Sequence, residues 1–146
     1  MLRLILGSLT PCLLAISASA QSGAPQGVAD LQPGGEWAIG RWEGNLVEVG
    51  TSAGTAGLNQ VGRVFIVERT PTGARCYWFI PGTAKSPTKQ CTIGAKSIAL
   101  VTVASSKVEL WRTSPDAMQG KFEGTGARVA QGAGTTGRHL FLNRIP

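Results

Sequence analysis

Residues 65–79 read FIVERTPTGARCYWF, and their reading decides the fold class. On each side of Thr70-Pro71-Thr72-Gly73 apolar and polar residues alternate. Alternation with a period of two marks a half-buried strand, and a short run with Pro and Gly between two such segments marks a turn. Folding the stretch back on itself at that turn sets Glu68 opposite Arg75 and Phe65 opposite Trp78. Both are favourable cross-strand neighbours, one by charge and one by aromatic contact. The same pairing collects Phe65, Val67, Cys76 and Trp78 on one face, the expected interior.

Working outward, similar short runs bounded by turn residues occur at 37–49, 61–69, 74–80, 90–93, 97–103, 108–113, 118–124 and 138–144, and none repeats apolar residues at helical spacing over several turns. The chain is therefore expected to be all-β. Ala104-Ser105-Ser106-Lys107 and Ser114-Pro115-Asp116-Ala117 read as two further tight hairpin connections. In the segment 118–124, Met118, Gly120 and Phe122 point one way and Gln119, Lys121 and Glu123 the other. Carried across Ser114 to Ala117, that register sets Trp111 opposite Gly120, where a large ring covers a residue without a side chain, and so places Trp111 in the core. In the register of Ala104 to Lys107, Glu109 shares a face with Trp111, Leu100 and Phe122. An inward carboxylate must be paired, solvated at a barrel mouth or used by a ligand. A single antiparallel meander of roughly eight strands with one apolar face removes its exposed edges by closing into a β-barrel.

Upstream, residues 1–20, MLRLILGSLTPCLLAISASA, carry Arg3, an apolar run and a small-residue ending at Ala18-Ser19-Ala20. That order is expected of a secretory signal peptide cut before Gln21, which makes the mature protein periplasmic or secreted. Residues 21–35, QSGAPQGVADLQPGG, have no periodicity and read as a flexible lead-in to a barrel domain at 36–146. Cys12 leaves with the signal, and Cys76 and Cys91 remain as an even pair in an oxidising compartment, read as one disulfide with two free buried thiols as the alternative. No later segment qualifies as a transmembrane span of the mature chain. Without Arg3, thirteen Lys and Arg face eight Asp and Glu, a formal charge of +5. The charges are dispersed, so they read as solubility, or as weak contact of Lys85, Lys89 and Lys96 with anionic envelope components; no specific nucleic-acid partner is expected.

Gly40-Arg41-Trp42 at the start of the first alternating segment, a meander after it, and Arg144 near the end of the last strand together resemble the calycin superfamily of lipocalin-like and avidin-like β-barrels. In that superfamily the tryptophan of a G-x-W motif lies across the closed end of the barrel and a basic residue of the final strand packs over it. The resemblance implies that Trp42 is the barrel plug, Arg144 its cover and Gly40 the tight entry into the strand. A T-D-Y-like motif of true lipocalins is missing and the domain is short, so the chain is more similar to small exported bacterial calycin-like domains, among them inhibitors of secreted metalloproteases. Their shared trait is binding without chemistry.

The residues themselves point the same way. His139 is the sole histidine, and no Ser-His-Asp or Cys-His set is assembled by the spacing. With one histidine and two cysteines in the domain, no metal site is expected, and no cofactor. The segment GTGARVAQGAGTTG at 124–137 has neither the Lys-Ser/Thr ending of a phosphate loop nor a helix after it, and reads as a mobile connection at the barrel rim. Two non-enzymatic functions follow. One is a binder of a small apolar or amphipathic ligand in or at the mouth of the barrel, with Phe65, Trp78, Trp111 and Phe122 lining the cavity and Glu109 or a rim lysine orienting the ligand. The other is a protein-interaction module of the cell envelope, or an inhibitor-like protein, with a filled barrel that contacts its partner through the lead-in or the lysine-bearing loop.

Overall fold

The computed structural model describes residues 25–52, 55–124 and 134–146, excluding the side chains of 49–52, 55–59 and 134–137. Residues 1–24, which hold the expected signal peptide and the start of the lead-in, and 125–133 of the expected rim connection lie outside the described residues. Among the described residues nine strands close into a barrel: β1 (Val28–Leu31), β2 (Gly40–Ser52), β3 (Thr55–Thr70), β4 (Gly73–Phe79), β5 (Gln90–Ile93), β6 (Ser97–Val101), β7 (Lys107–Ser114), β8 (Ala117–Glu123) and β9 (Gly134–Ile145). The expected meander is β2 to β9, and β9 returns to pair with β2.

β1 is the element that sequence periodicity did not show. Val28–Leu31 was expected to be flexible lead-in and instead forms a wall of the barrel, antiparallel to β4 and parallel to β5. Four residues are too few to display a period, and the hydrogen bonds that hold them come from far along the chain. Gly27 N–H donates to Thr88 O at 2.8 Å, Cys76 N–H to Gly27 O at 2.7 Å and Gln32 N–H to Ile93 O at 2.8 Å. Toward the far end of β4 the chain before β5 pairs with it directly, Trp78 N–H donating to Ser86 O at 2.9 Å and Thr88 N–H to Cys76 O at 3.1 Å. β4 and β5 then part, and β1 fills the fork. The Cys76–Cys91 disulfide lies inside the barrel at this fork, with its Cα atoms 6.4 Å apart and both residues buried.

The decisive hairpin has the expected register: Glu68 faces Arg75 and Phe65 faces Trp78. Phe65, Val67, Cys76 and Trp78 are all buried. The registers around β7 differ from expectation, for two local reasons. Val101 pairs with Lys107, so the β6–β7 connection is the five-residue loop 102–106 rather than a tight turn. Thr102 organises that loop, its hydroxyl accepting from Ser106 N–H at 3.1 Å and its carbonyl from Ser105 N–H at 2.9 Å. On the other side, a bulge between Arg112 and Ser114 shifts β7 against β8 by one residue, so that Leu110 and not Trp111 faces Gly120. A one-residue change of register turns every side chain to the opposite face of the sheet. Val108 and Leu110 are therefore the buried residues of β7, whereas Glu109 is exposed and Trp111 is 37% exposed. The expectations of an inward Glu109 and a core Trp111 are both corrected.

One end of the barrel is closed by a 3-10 turn, Gly35–Ala38, laid across it. Trp42 lies beneath the turn with no exposure, and its Nε1–H donates to Ala38 O at 2.8 Å. Trp37, in the turn, meets that ring edge-on, with centroids 6.0 Å apart. The Arg144 guanidinium stands 4.3 Å from the Trp42 ring centroid, donates through Nη1 to Ile39 O at 2.7 Å and through Nη2 to Trp37 O, and reaches Asp116 at 3.4 Å. Gly40 enters β2 at φ +134°, and a Cβ there would lie 2.8 Å from Arg144 Nη1. The geometry thus brings Gly40, Trp42 and Arg144 together at the closed end. Above this plug the interior is packed by Leu46, Phe65, Leu110, Met118, Leu140 and Leu142, each no more than 1% exposed.

Candidate functional site

The inner face of the barrel changes character toward the open end, and the pleat of the strands dictates where. On β2 the inward residues after Trp42 are Gly44, Leu46 and Glu48; on β3, read toward the same end, Val67 and Phe65 are followed by Arg63; on β9, Leu142 and Leu140 are followed by Arg138. Alternation that fills the interior with apolar groups thus delivers three charged side chains to the mouth. Glu48 and Arg138 are direct cross-strand partners, and their side chains form an ion pair at 3.1 Å with 21% and 12% exposure respectively. Arg63 is opposite Gly44, which leaves no side chain beneath it. Gly44 is itself required by close approach, since a Cβ there would sit 1.7 Å from Phe141 O.

Phe122, the last inward side chain of β8, has two guanidinium groups near its ring, Arg63 at 5.8 Å and Arg138 at 5.9 Å from the centroid. Arg63 Nη1 donates to Gly62 O at 2.9 Å, the backbone next to it in the chain. Burial holds the Arg63 guanidinium below its ordinary pKa, with the nearby charge of Glu48 acting in the opposite direction. An arginine remains protonated in a protein, so the shift describes a cation with incomplete solvation rather than a group that titrates.

Beside these charges is a cleft of about 230 Å³ with apolar walls from Trp78, Phe79, Ile80, Val103 and Phe122, and with Arg63 at its edge. Ile80 and Val103 are 44% and 48% exposed, so the cleft opens to solvent along the β4–β5 and β6–β7 connections. Of the residues expected to line a site, Trp78 and Phe122 line this cleft. Phe65 is fully buried behind Trp78, their centroids 6.1 Å apart, and backs the wall without reaching the cleft. Glu109 and Trp111 are on the outer surface, Glu109 opposite Lys121 and Trp111 opposite Gln119. His139 is exposed on the outer face of β9.

The expected basic loop is not a single patch. Lys85 is tied to Glu68 and stands 4.0 Å from the Tyr77 ring centroid, Lys89 donates to Ser105 Oγ at 2.6 Å, and Lys96 is exposed in the β5–β6 turn at the closed end. Sequence reasoning missed Glu48, Arg63 and Arg138, although the signal was present. Glu48 shares parity with Trp42, and Arg63 with Phe65, on strands that were assigned from the pattern alone. Among the described residues no helix is long and apolar enough to cross a membrane, and no group of three His, Cys, Asp or Glu side chains could hold a metal ion. No protein-family model, curated protein or solved structure matches the chain.

Proposed function

We propose that this chain is an exported, non-enzymatic binding protein that takes a small apolar or amphipathic ligand at the open end of its barrel. The observation that carries the reading is the apolar cleft beside an inward-facing charged ring. Trp78 and Phe122 present aromatic surface there while the positions below them are filled. Ligand sites are concave and mostly apolar, with a few convergent polar groups, and this mouth has that composition. Its volume of about 230 Å³ is below the roughly 300–1,000 Å³ of drug-sized sites, so it suits one end of a ligand whose remainder leaves the barrel. The plug at the opposite end is similar to that of calycin barrels, which supports a bacterial calycin-like assignment and binding without chemistry.

Trp78 is the natural reporter. Screening fatty acids, fatty alcohols, quinones, porphyrins and short glycans by tryptophan emission should find a class that quenches or shifts the signal, and Trp78→Phe should remove that response. No response from any class would favour the second reading, a protein-interaction module of the envelope or an inhibitor-like protein. The filled interior is the observation on its side.

A further inference from the structure

The eight Asp and Glu side chains can be placed one by one, and the count leaves Arg63 without one of its own. They are Asp30, Glu36, Glu43, Glu48, Glu68, Glu109, Asp116 and Glu123, and all lie among the described residues. The segments 49–59 and 125–137, whose side chains are not described, contain no Asp or Glu, and the second of them contains Arg128. Asp30 on β1 accepts from Gln32 Nε2 at 2.7 Å and Glu36 is in the 3-10 turn at the closed end, while Glu43 pairs with Arg41, Glu68 with Lys85 and Asp116 with Arg144. Glu123 and Glu109 point outward from β8 and β7, opposite Lys107 and Lys121. Glu48 is the carboxylate of the inner face at the mouth, and Arg138 holds it at 3.1 Å.

A half-buried guanidinium has donors in a planar fork that suits a carboxylate or phosphate, and leaving such a charge without a counter-ion is unfavourable. Among the described residues Arg63 uses one of those donors, on the carbonyl of Gly62. The residue also lines a cleft walled by Trp78, Phe79, Ile80, Val103 and Phe122. We infer that the ligand of this site is an anionic amphiphile, whose headgroup is held by the Arg63 guanidinium and whose apolar chain lies along the aromatic wall. The inference rests on the mouth-binding reading above and specifies its ligand class. The Glu48–Arg138 pair gives the headgroup its surroundings, since Glu48 already has a cation and adds little repulsion to an anion at Arg63.

The test uses three probes with the same ten-carbon chain, decanoate, decyl phosphate and decanol, titrated below their micellar concentrations against tryptophan emission of the mature protein. Decanoate should bind at least about tenfold more tightly than decanol, the value of a charge-assisted hydrogen bond. Arg63→Gln should bring decanoate to the level of decanol, and Arg41→Gln, which removes the same charge from the outer face at the closed end, should leave it unchanged. Binding of decyl phosphate alongside decanoate identifies recognition of an anionic headgroup in general; binding of decanoate alone identifies a carboxylate. The comparison of probes on the unaltered protein does not depend on how Arg63→Gln folds. Equal binding of decanoate and decanol would overturn the anion assignment while leaving the mouth as the site. No response to any probe would overturn both.

Discussion

Replacing Trp42 by alanine tests the closed end of the barrel, and the structure sets the size of the effect. The ring has no exposure and fills the space between the 3-10 turn and the Arg144 guanidinium. Removing a buried aromatic of this size costs about 3–5 kcal/mol, and the Ala38 carbonyl that loses its Nε1–H donor adds roughly 1 kcal/mol more. A small domain has about 5–15 kcal/mol in all, so the variant should be largely or partly unfolded at room temperature. Arg144→Ala should cost about 2–4 kcal/mol, because its guanidinium also donates to the carbonyls of Ile39 and Trp37. Those bonds do not need the ring. A double-mutant cycle should therefore show coupling of about 1–2 kcal/mol for the stacked cation, with a further loss from Arg144→Ala surviving in the Trp42→Ala background. Urea denaturation followed by far-ultraviolet circular dichroism reads these quantities, and Trp42→Phe, which keeps a ring but drops the Nε1–H donor, supplies a milder arm. A Trp42→Ala protein within about 1 kcal/mol of the parent, or strictly additive effects, would refute the plug.

The remaining expectations concern the fork and β7. Reduction of Cys76–Cys91, which spans 15 residues, should remove about 3 kcal/mol and lower the melting temperature by on the order of 10 °C, and a melting curve indifferent to reductant would show that β1 holds the fork alone. Trp111→Ala should change stability by no more than about 0.5 kcal/mol, as for other surface positions; a loss above about 2 kcal/mol in the same urea assay would return Trp111 to the interior.

What the sequence made legible, and what it did not, divides by whether a local turn carries the register. Thr70 to Gly73 joins β3 and β4 with its own turn residues, so complementary charges and rings could be matched across it and the inner face followed. The β6–β7 connection offers no such marker. Ser105 and Ser106 suit a tight turn or a five-residue loop equally, and the choice was made by hydrogen bonds to Thr102 together with a left-handed Ser105 at φ +65°. The bulge before Ser114 then changed the parity of β7 relative to β8, which no count of alternating residues along one strand can reveal. β1 was hidden for the complementary reason: it has no hairpin partner in sequence, and the fork it fills exists only once β4 and β5 are in place.

The same parity rule explains why an inward charge of the open end is at Arg63 rather than at Glu109. An inward charge on a short barrel strand is tolerable only where the interior meets water, because deeper positions would leave it desolvated without a partner. β7 enters the barrel from the open end with Val108 as its first buried residue, so an inward Glu109 would have displaced apolar packing against Leu100 and Phe122. β3 runs past its pairing with β4, which ends where Val64 faces Phe79, and Arg63 is the first residue beyond that limit. There the guanidinium stands 5.8 Å from the Phe122 ring centroid at the edge of the open cleft. The strand that carries the most legible hairpin in the sequence therefore also carries, one step past its last pair with β4, the cation on which the proposed site at the mouth rests.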